Sequence, residues 1–383
     1  MKIGITTYWR GTSNYGQIVQ HWALQRTLVK MGHQPYLIRF YPGFNHGLLK
    51  RWLKEYKVVD YARAFLSLMK GNSKLLKREM HDRKRAFSKF RKENLYVSKR
   101  KYYRLADLQH CPPYADAYIT GSDQIWSQLL SNRENEVYYL NFGLQDSLRI
   151  AYAPSFSMNE YPEDLLPNLC NNLCRFNSIS CREYSGVDIC HKAGFSRAKK
   201  VLDPTFLGGK EGYMELIKQA GNKYVKDYVF IYSLNISDPK EIHWDELKKI
   251  CKDKQVVVTP SNGYFAGDEL FGNEVEYSYG TIQEWLANIY YSSLVVTPSF
   301  HGVTLAIILE KAFVYTPLKG AYANGNNRIL DLLTDLDLVD RMLSDGKRYA
   351  EVISQPIDWS HVEERLEVLR NESLDFLKNS LVK

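Results

Sequence analysis

At 383 residues, 45% of them hydrophobic and 25% charged, the chain is long enough for two domains and too evenly mixed to be disordered. The net charge of +8 is unevenly spread: Lys50–Lys101 holds 18 basic and 5 acidic residues, which leaves the remainder mildly acidic. No run approaches the ~20 apolar residues of a membrane-spanning helix, and Met1 leads straight into a strand-like segment with no secretory leader. A cytoplasmic protein is expected.

Lys2–Tyr8 alternates and is β-branched, so it reads as a strand. A polar loop over 9–16 follows. Gln17–Met31 sets Ile18, Trp22, Leu24, Leu28 and Met31 near one helical face, and Gly32 suits the helix end. His33–Phe40 returns as a strand, and such a βαβ opening requires a parallel sheet. Leu48–Asn94 looks helical and basic. Short strands are predicted at Tyr118–Thr120, Leu148–Ala153, Ser178–Cys181 and Lys200–Leu202.

Residues 208–227 read as a linker region containing a helix, after which the βα rhythm restarts. Strands are predicted at Tyr228–Leu234, Val256–Pro260, Leu294–Thr297 and Phe313–Thr316. Helices are predicted at Pro239–Cys251, Ile282–Tyr291 and from Val303. Ser360–Leu381 is a long amphipathic terminal helix. Two βα series of this kind predict an α/β protein of two Rossmann-like, doubly wound lobes.

Six cysteines fit free thiols. Cys170 and Cys174 share a helix face, and without a nearby histidine pair they read as core packing rather than zinc ligands. No metal site is expected.

Ligands of open α/β sheets sit beyond the carboxyl ends of the strands, so polar clusters that follow strands are the candidate sites. Four qualify. Ser13-Asn14-Tyr15-Gly16 opens the first helix, where free N–H groups favour an anion or a sugar; a structural cap is the alternative. Gly121-Ser122-Asp123-Gln124-Ile125-Trp126 suits gripping hydroxyls, or caps a turn. Arg182 in Arg182-Glu183 is well aimed at a phosphate or carboxylate, unless it pairs with its neighbour. In Ser299-Phe300-His301-Gly302 a histidine stands at a helix mouth, placed for acid–base work; a structural histidine is the alternative.

Taken in order, these segments resemble the polysaccharide pyruvyltransferase family over nearly the full length. Lys2–Thr6, Asn14-Tyr15-Gly16, Ala23-Leu24-Gln25, Gly121–Trp126, Ala151–Phe156 and Arg182-Glu183 carry the likeness in the first half. Val201-Leu202-Asp203-Pro204-Thr205, Ser299–Gly302 and Asn327-Arg328-Ile329 with Leu332-Leu333 carry it in the second.

The resemblance implies a GT-B-like pair of lobes with the terminal helix crossing back to the first. The implied division is 1–207 on the acceptor side (basic insertion about 46–101), a linker region 208–227, 228–355 on the donor side, and 356–383 as the returning helix. It also implies transfer of the enolpyruvyl unit of phosphoenolpyruvate to two sugar hydroxyls of a surface polysaccharide or its lipid-linked precursor. Phosphoenolpyruvate is a co-substrate, and no cofactor is implied.

On these positions His301 and Arg182 become the catalytic residues. Arg328, Ser299, Gly302 and Asn327 become donor contacts. Asn14, Tyr15, Ser122, Asp123 and Gln124 become acceptor contacts. Ser299 stands where some members carry arginine, and Ser157 where a second histidine occurs.

The segment Lys50–Lys101 interleaves Trp52, Leu53, Tyr56, Phe65, Leu66, Phe87 and Phe90 with its charges, a composition suited to an anionic inner-leaflet membrane. A solvated helical face is the alternative. No nucleic-acid motif accompanies the charge. The competing functions are a GT-B glycosyltransferase with a nucleotide-sugar donor and a catalytically silent glycan-binding relative.

Overall fold

The computed structural model describes residues 1–41, 73–130, 132–224, 227–261, 269–344 and 346–382. Among these, the first lobe is built on β1 (Lys2–Thr6), β2 (Gln34–Phe40), β3 (Val97–Tyr102), β4 (Ala117–Thr120), β5 (Leu148–Ala151), β6 (Ser178–Cys181) and β7 (Lys199–Lys200). They form one parallel sheet in the order β3-β2-β1-β4-β5-β6-β7. The second lobe holds β8 (Tyr228–Leu234), β9 (Gln255–Ser261), β10 (Glu276–Tyr277), β11 (Leu294–Thr297) and β12 (Phe313–Tyr315). Their order is β10-β9-β8-β11-β12, again parallel.

Both orders are doubly wound and reverse direction beside their first strand, between β1 and β4 and between β8 and β11. Crevices for ligands open at such switch points, at the carboxyl ends of the strands. The two-lobed α/β, GT-B-like architecture follows from these orders.

Parallel strands covered on both faces need near-continuous apolar runs. Accordingly β8 is buried at every position, and so are β4 and β11. β3 went unread because it is an edge strand in which Lys99, Arg100 and Lys101 break the pattern. Charge on an edge discourages pairing with other chains.

Three further readings need correction. The Pro239–Cys251 helix is interrupted at His243, which adopts φ 49° and ψ 46° between a 3₁₀ turn and the helix Trp244–Ile250. The helix placed from Val303 begins earlier, spanning Phe300–Ile308. Cys170 is half-buried and Cys174 exposed, so neither is core; Cys181, Cys190 and Cys251 are the buried thiols.

The lobes share an apolar core. Tyr15, Ile18, Val19 and Trp22 of the first pack in one cluster with Tyr232, Trp285, Phe300 and Val303 of the second. Phe87 and Phe90, at 2% and 3% exposure, belong to this cluster, so they cannot dip into a membrane. Trp52, Leu53, Tyr56, Phe65 and Leu66 lie outside the described residues.

The helix Trp359–Ser380 joins both lobes. Near its start Arg365 pairs with Asp337, at 3.0 Å. Further on, Arg370 Nε donates to the Phe206 carbonyl (3.1 Å), and Ser373 Oγ accepts from Leu202 N (2.9 Å). Leu377 is buried beside Ile3, Ile5 and Leu24 of the first lobe. No described helix is long and apolar enough to cross a membrane.

Candidate active site

The helix Tyr15–Lys30 follows β1 and points its N-terminus at the second lobe. Asn14 caps it, its Oδ1 accepting from Gln17 N at 3.1 Å. Tyr15 is fully buried, stacks on Trp285 and donates to the Gly280 carbonyl at 2.7 Å. Beside it, Ser261 Oγ donates to the Ser13 carbonyl at 2.7 Å. The expected acceptor contact at Tyr15 is thus committed to the lobe junction, and Asn14 to a cap.

At Gly16 the first helix closely approaches the second lobe. A Cβ built there would lie 2.3 Å from Cγ of His301. Only glycine leaves room for the imidazole. Gly16→Ala is expected to displace the ring and cost about 1–3 kcal/mol by overpacking. Chemical denaturation alongside turnover would show it, and unchanged values in both would mean that the contact is not tight.

His301 sits in the first turn of Phe300–Ile308, capped by Ser299, whose Oγ accepts from Gly302 N at 3.3 Å. A Cβ on Gly302 would meet Thr297 Oγ1 at 2.6 Å, so this residue backs onto the strand end. Ser299 and Gly302 therefore shape the histidine turn rather than reach into open space. Nε2 of His301 has no hydrogen-bond partner among the described residues and lies 3.6 Å from Oδ2 of Asp203. That is ion-pair range for a protonated ring, though longer than a well-formed hydrogen bond.

Asp203 is the hub, at 1% exposure. Its Oδ2 accepts from Arg182 Nη1 (3.0 Å) and Ser122 Oγ (2.8 Å), and its Oδ1 from Thr205 N (3.0 Å) and Oγ1 (2.8 Å). Burial by itself would raise the carboxyl pKa. His301, Arg182 and the Thr205 N–H outweigh it and hold the group well below the usual carboxylate range.

Arg182 leaves the end of β6 at 3% exposure and reaches 3.9 Å from Asp123 Oδ1 with Nη2. Its partner is Asp203 rather than the adjacent Glu183. The Glu183 carboxylate instead accepts from Phe156 N (2.8 Å) and Ser157 N (3.4 Å), and its Oε2 is buried without a partner among the described residues.

Arg328, on the helix Asn327–Asp335, comes from the opposite lobe. Its guanidinium lies 5.7 Å from the Phe300 ring centre, and that of Arg182 lies 4.3 Å from the same ring. Burial, then repulsion from Arg182, pulls the Arg328 pKa down to about 10. With its amide oxygen turned toward the donors, Gln124 accepts from Ser157 Oγ (2.7 Å) and from the Arg328 guanidinium. Nε of both arginines is buried with no acceptor among the described residues.

Six of the sequence-predicted residues therefore converge: His301, Arg182, Arg328, Ser122, Asp123 and Gln124. Asn327 stays at the surface, bonded to Asn159 across the cleft. Asp203 and Phe300 were missed as site residues, although both lie inside motifs already singled out. The signal for Asp203 was its place straight after the expected strand Lys200–Leu202, which the structure shortens to Lys199–Lys200, and before Pro204.

A second junction flanks the site. Tyr184 N donates to Asp331 Oδ2 (2.8 Å), Tyr184 Oη to Asp335 Oδ1 (3.2 Å), and Lys200 pairs with Asp335. Among the described residues no group of three or more His, Cys, Asp or Glu side chains could hold a metal ion.

Buried cationic donors left open at a switch point suit a small polyanion. Several solved structures resemble this fold. UGT89C1 of Arabidopsis thaliana is 10% identical, with 100% of this chain and 99% of that one covered at a TM-score of 0.48. UDP-GlcNAc 2-epimerase of Neisseria meningitidis is 8% identical, with 100% and 99% covered at 0.46. The corresponding enzyme of Methanocaldococcus jannaschii is 10% identical, with 97% and 93% covered at 0.46. No curated protein matches the sequence. The family model for polysaccharide pyruvyl transferase matches residues 14–317, from the capped first helix to just past β12, and the chain belongs to that family of enzymes.

Proposed function

We propose that the protein transfers the pyruvyl unit of phosphoenolpyruvate to two hydroxyls of one sugar, in a bacterial surface polysaccharide or its lipid-linked precursor, forming a cyclic ketal. One observation carries this reading. Arg182 and Arg328, from opposite lobes, leave buried Nε donors without acceptors among the described residues, beside a histidine whose Nε2 also lacks a hydrogen bond there. An unmet buried donor costs about 1–3 kcal/mol, and a carboxylate or phosphate would recover it.

In this scheme the arginines hold the carboxylate and phosphate of the donor, and His301 supplies a proton to its methylene. The adjacent carbon becomes oxocarbenium-like and is attacked by the first sugar hydroxyl. Phosphate then leaves, and the second hydroxyl closes the ring. Of the two hydroxyl protons, one replaces that spent on the new methyl group and the other departs with phosphate. Asp203 Oδ2 stands 3.6 Å from His301 Nε2, on the ring nitrogen that would carry the proton in this scheme. The proposed reaction runs in the cytoplasm.

Thermal shift with candidate donors tests the reading. A ligand at a hundred times its Kd adds about 2.7 kcal/mol if it binds only the folded chain. Phosphoenolpyruvate is expected to stabilise the protein in that manner, and UDP is not. Stabilisation by UDP alone would move the protein to the nucleotide-sugar glycosyltransferases.

A further inference from the structure

Three neighbouring strands of the first lobe end in aromatic residues on the carboxyl edge of the sheet. Tyr8 and Trp9 follow β1, Tyr41 follows β2 and Tyr103 follows β3. Tyr41 stacks on Tyr103 with ring centres 5.3 Å apart, and Trp9 meets Tyr41 edge-on at 5.2 Å. The exposed Arg10 lays its guanidinium 4.5 Å over Tyr41.

This rim is fixed in place. The Trp9 indole N–H donates to the Phe40 carbonyl at 2.9 Å, and Arg91 donates to the carbonyls of Trp9 (3.2 Å) and Gly11 (2.9 Å). A ligand landing there meets rings already ordered, so little conformational entropy is lost on binding.

Tyr8 connects the rim to the active site. Its hydroxyl is buried with no hydrogen-bond partner among the described residues. The neighbouring Thr7 Oγ1 donates to the Ser122 carbonyl at 2.7 Å, which ties this strand end to the loop that carries Asp123, and burial followed by the charge of Asp123 raises the Tyr8 pKa.

We infer that this aromatic rim is an acceptor subsite for consecutive sugar residues of a glycan. It rests on the reading of the enzyme as a pyruvyl transferase and names how the acceptor lies. The C–H face of a pyranose ring stacks on Trp9, since aromatic side chains combine a large apolar face with polar tips. A sugar hydroxyl supplies the missing partner of Tyr8. Strands lie about 4.8 Å apart, so the edge from β4, which carries Asp123, to β3 spans about 14 Å, or about three pyranose units. The glycan then runs along the sheet edge and delivers one sugar to Asp123 and Arg182.

A printed array of bacterial surface oligosaccharides, probed with the full-length wild type and single variants, tests this. The glycans bound by the wild type should lose at least tenfold in affinity with Trp9→Ala and be largely restored with Trp9→Phe. Tyr8→Phe should weaken binding about fivefold while leaving thermal stability unchanged or raised, because it removes a buried hydroxyl without a partner. The thermal shift with phosphoenolpyruvate should persist in all three variants. No glycan bound by the wild type, or undiminished binding by both Trp9→Ala and Tyr8→Phe, overturns the subsite. Glycan binding through the rim with no response to phosphoenolpyruvate would sink the donor reading and keep the subsite.

Discussion

Asp203→Ala is expected to destabilise the protein by about 3–5 kcal/mol, the range for removing one member of a buried ion pair. The cost comes from what remains behind. Among the described residues, Arg182, at 3% exposure, would be left with Asp123 at 3.9 Å as its ion-pair partner. Ser122 and Thr205 would each lose an acceptor. Asp203→Asn keeps the size and should cost less, and it supplies the pH arm of the experiment. The carboxyl pKa is held below its ordinary value in the folded chain. Its contribution is therefore complete above the unfolded value of about 3.9 and is lost as the pH falls through the lower folded value. Denaturant midpoints of wild type and Asp203→Asn should stand furthest apart near neutrality and converge as the pH drops below about 4. A gap that stayed constant across that range would mean that Asp203 is not ionised in the fold.

Much of the scaffold is legible in the sequence because parallel strands must be apolar on both faces. Tyr228–Leu234, Leu294–Thr297 and the helix Ile282–Tyr291 match the structure to the residue. The edge strand β3 is not legible, since its Lys99-Arg100-Lys101 run has no face to bury. His243 also escaped, because a left-handed residue between two turns leaves no mark on hydrophobic spacing.

The site divides along similar lines. Arg182, His301 and Asp123 could be found from their places after strands, where side chains reach the switch point. Asn14 and Ser299 stand at helix mouths too, yet each spends its oxygen on a cap. Residue type and position alone do not separate a cap from a ligand contact, because both need a small polar group beside free N–H donors. The contacts of Gln124 with Arg328 and of Gly16 with His301 join segments about two or three hundred residues apart. No local pattern encodes such pairs, and Asp203 becomes a hub only once β6, β7 and the second lobe are assembled.

His301→Ala carries the largest expected effect on rate, a fall of about 10²–10⁴-fold in ketal formation, which is the usual worth of a positioned general acid–base group. The geometry separates this role from donor binding. Nε2 of His301 has no hydrogen-bond partner among the described residues, whereas the arginines proposed to meet the donor anions are hydrogen-bonded by Asp203 and Gln124 rather than by the imidazole. Stabilisation by phosphoenolpyruvate should therefore survive in His301→Ala while turnover collapses. Arg182→Ala should lose both, because its side chain is proposed to bind the donor and it pairs with Asp203. Following phosphate release under single-turnover conditions keeps product release out of the comparison. If His301→Ala kept its rate within threefold of wild type with the fold intact, the proton would have to come from elsewhere. The next group to examine would then be Glu183, whose Oε2 is also buried without a partner among the described residues.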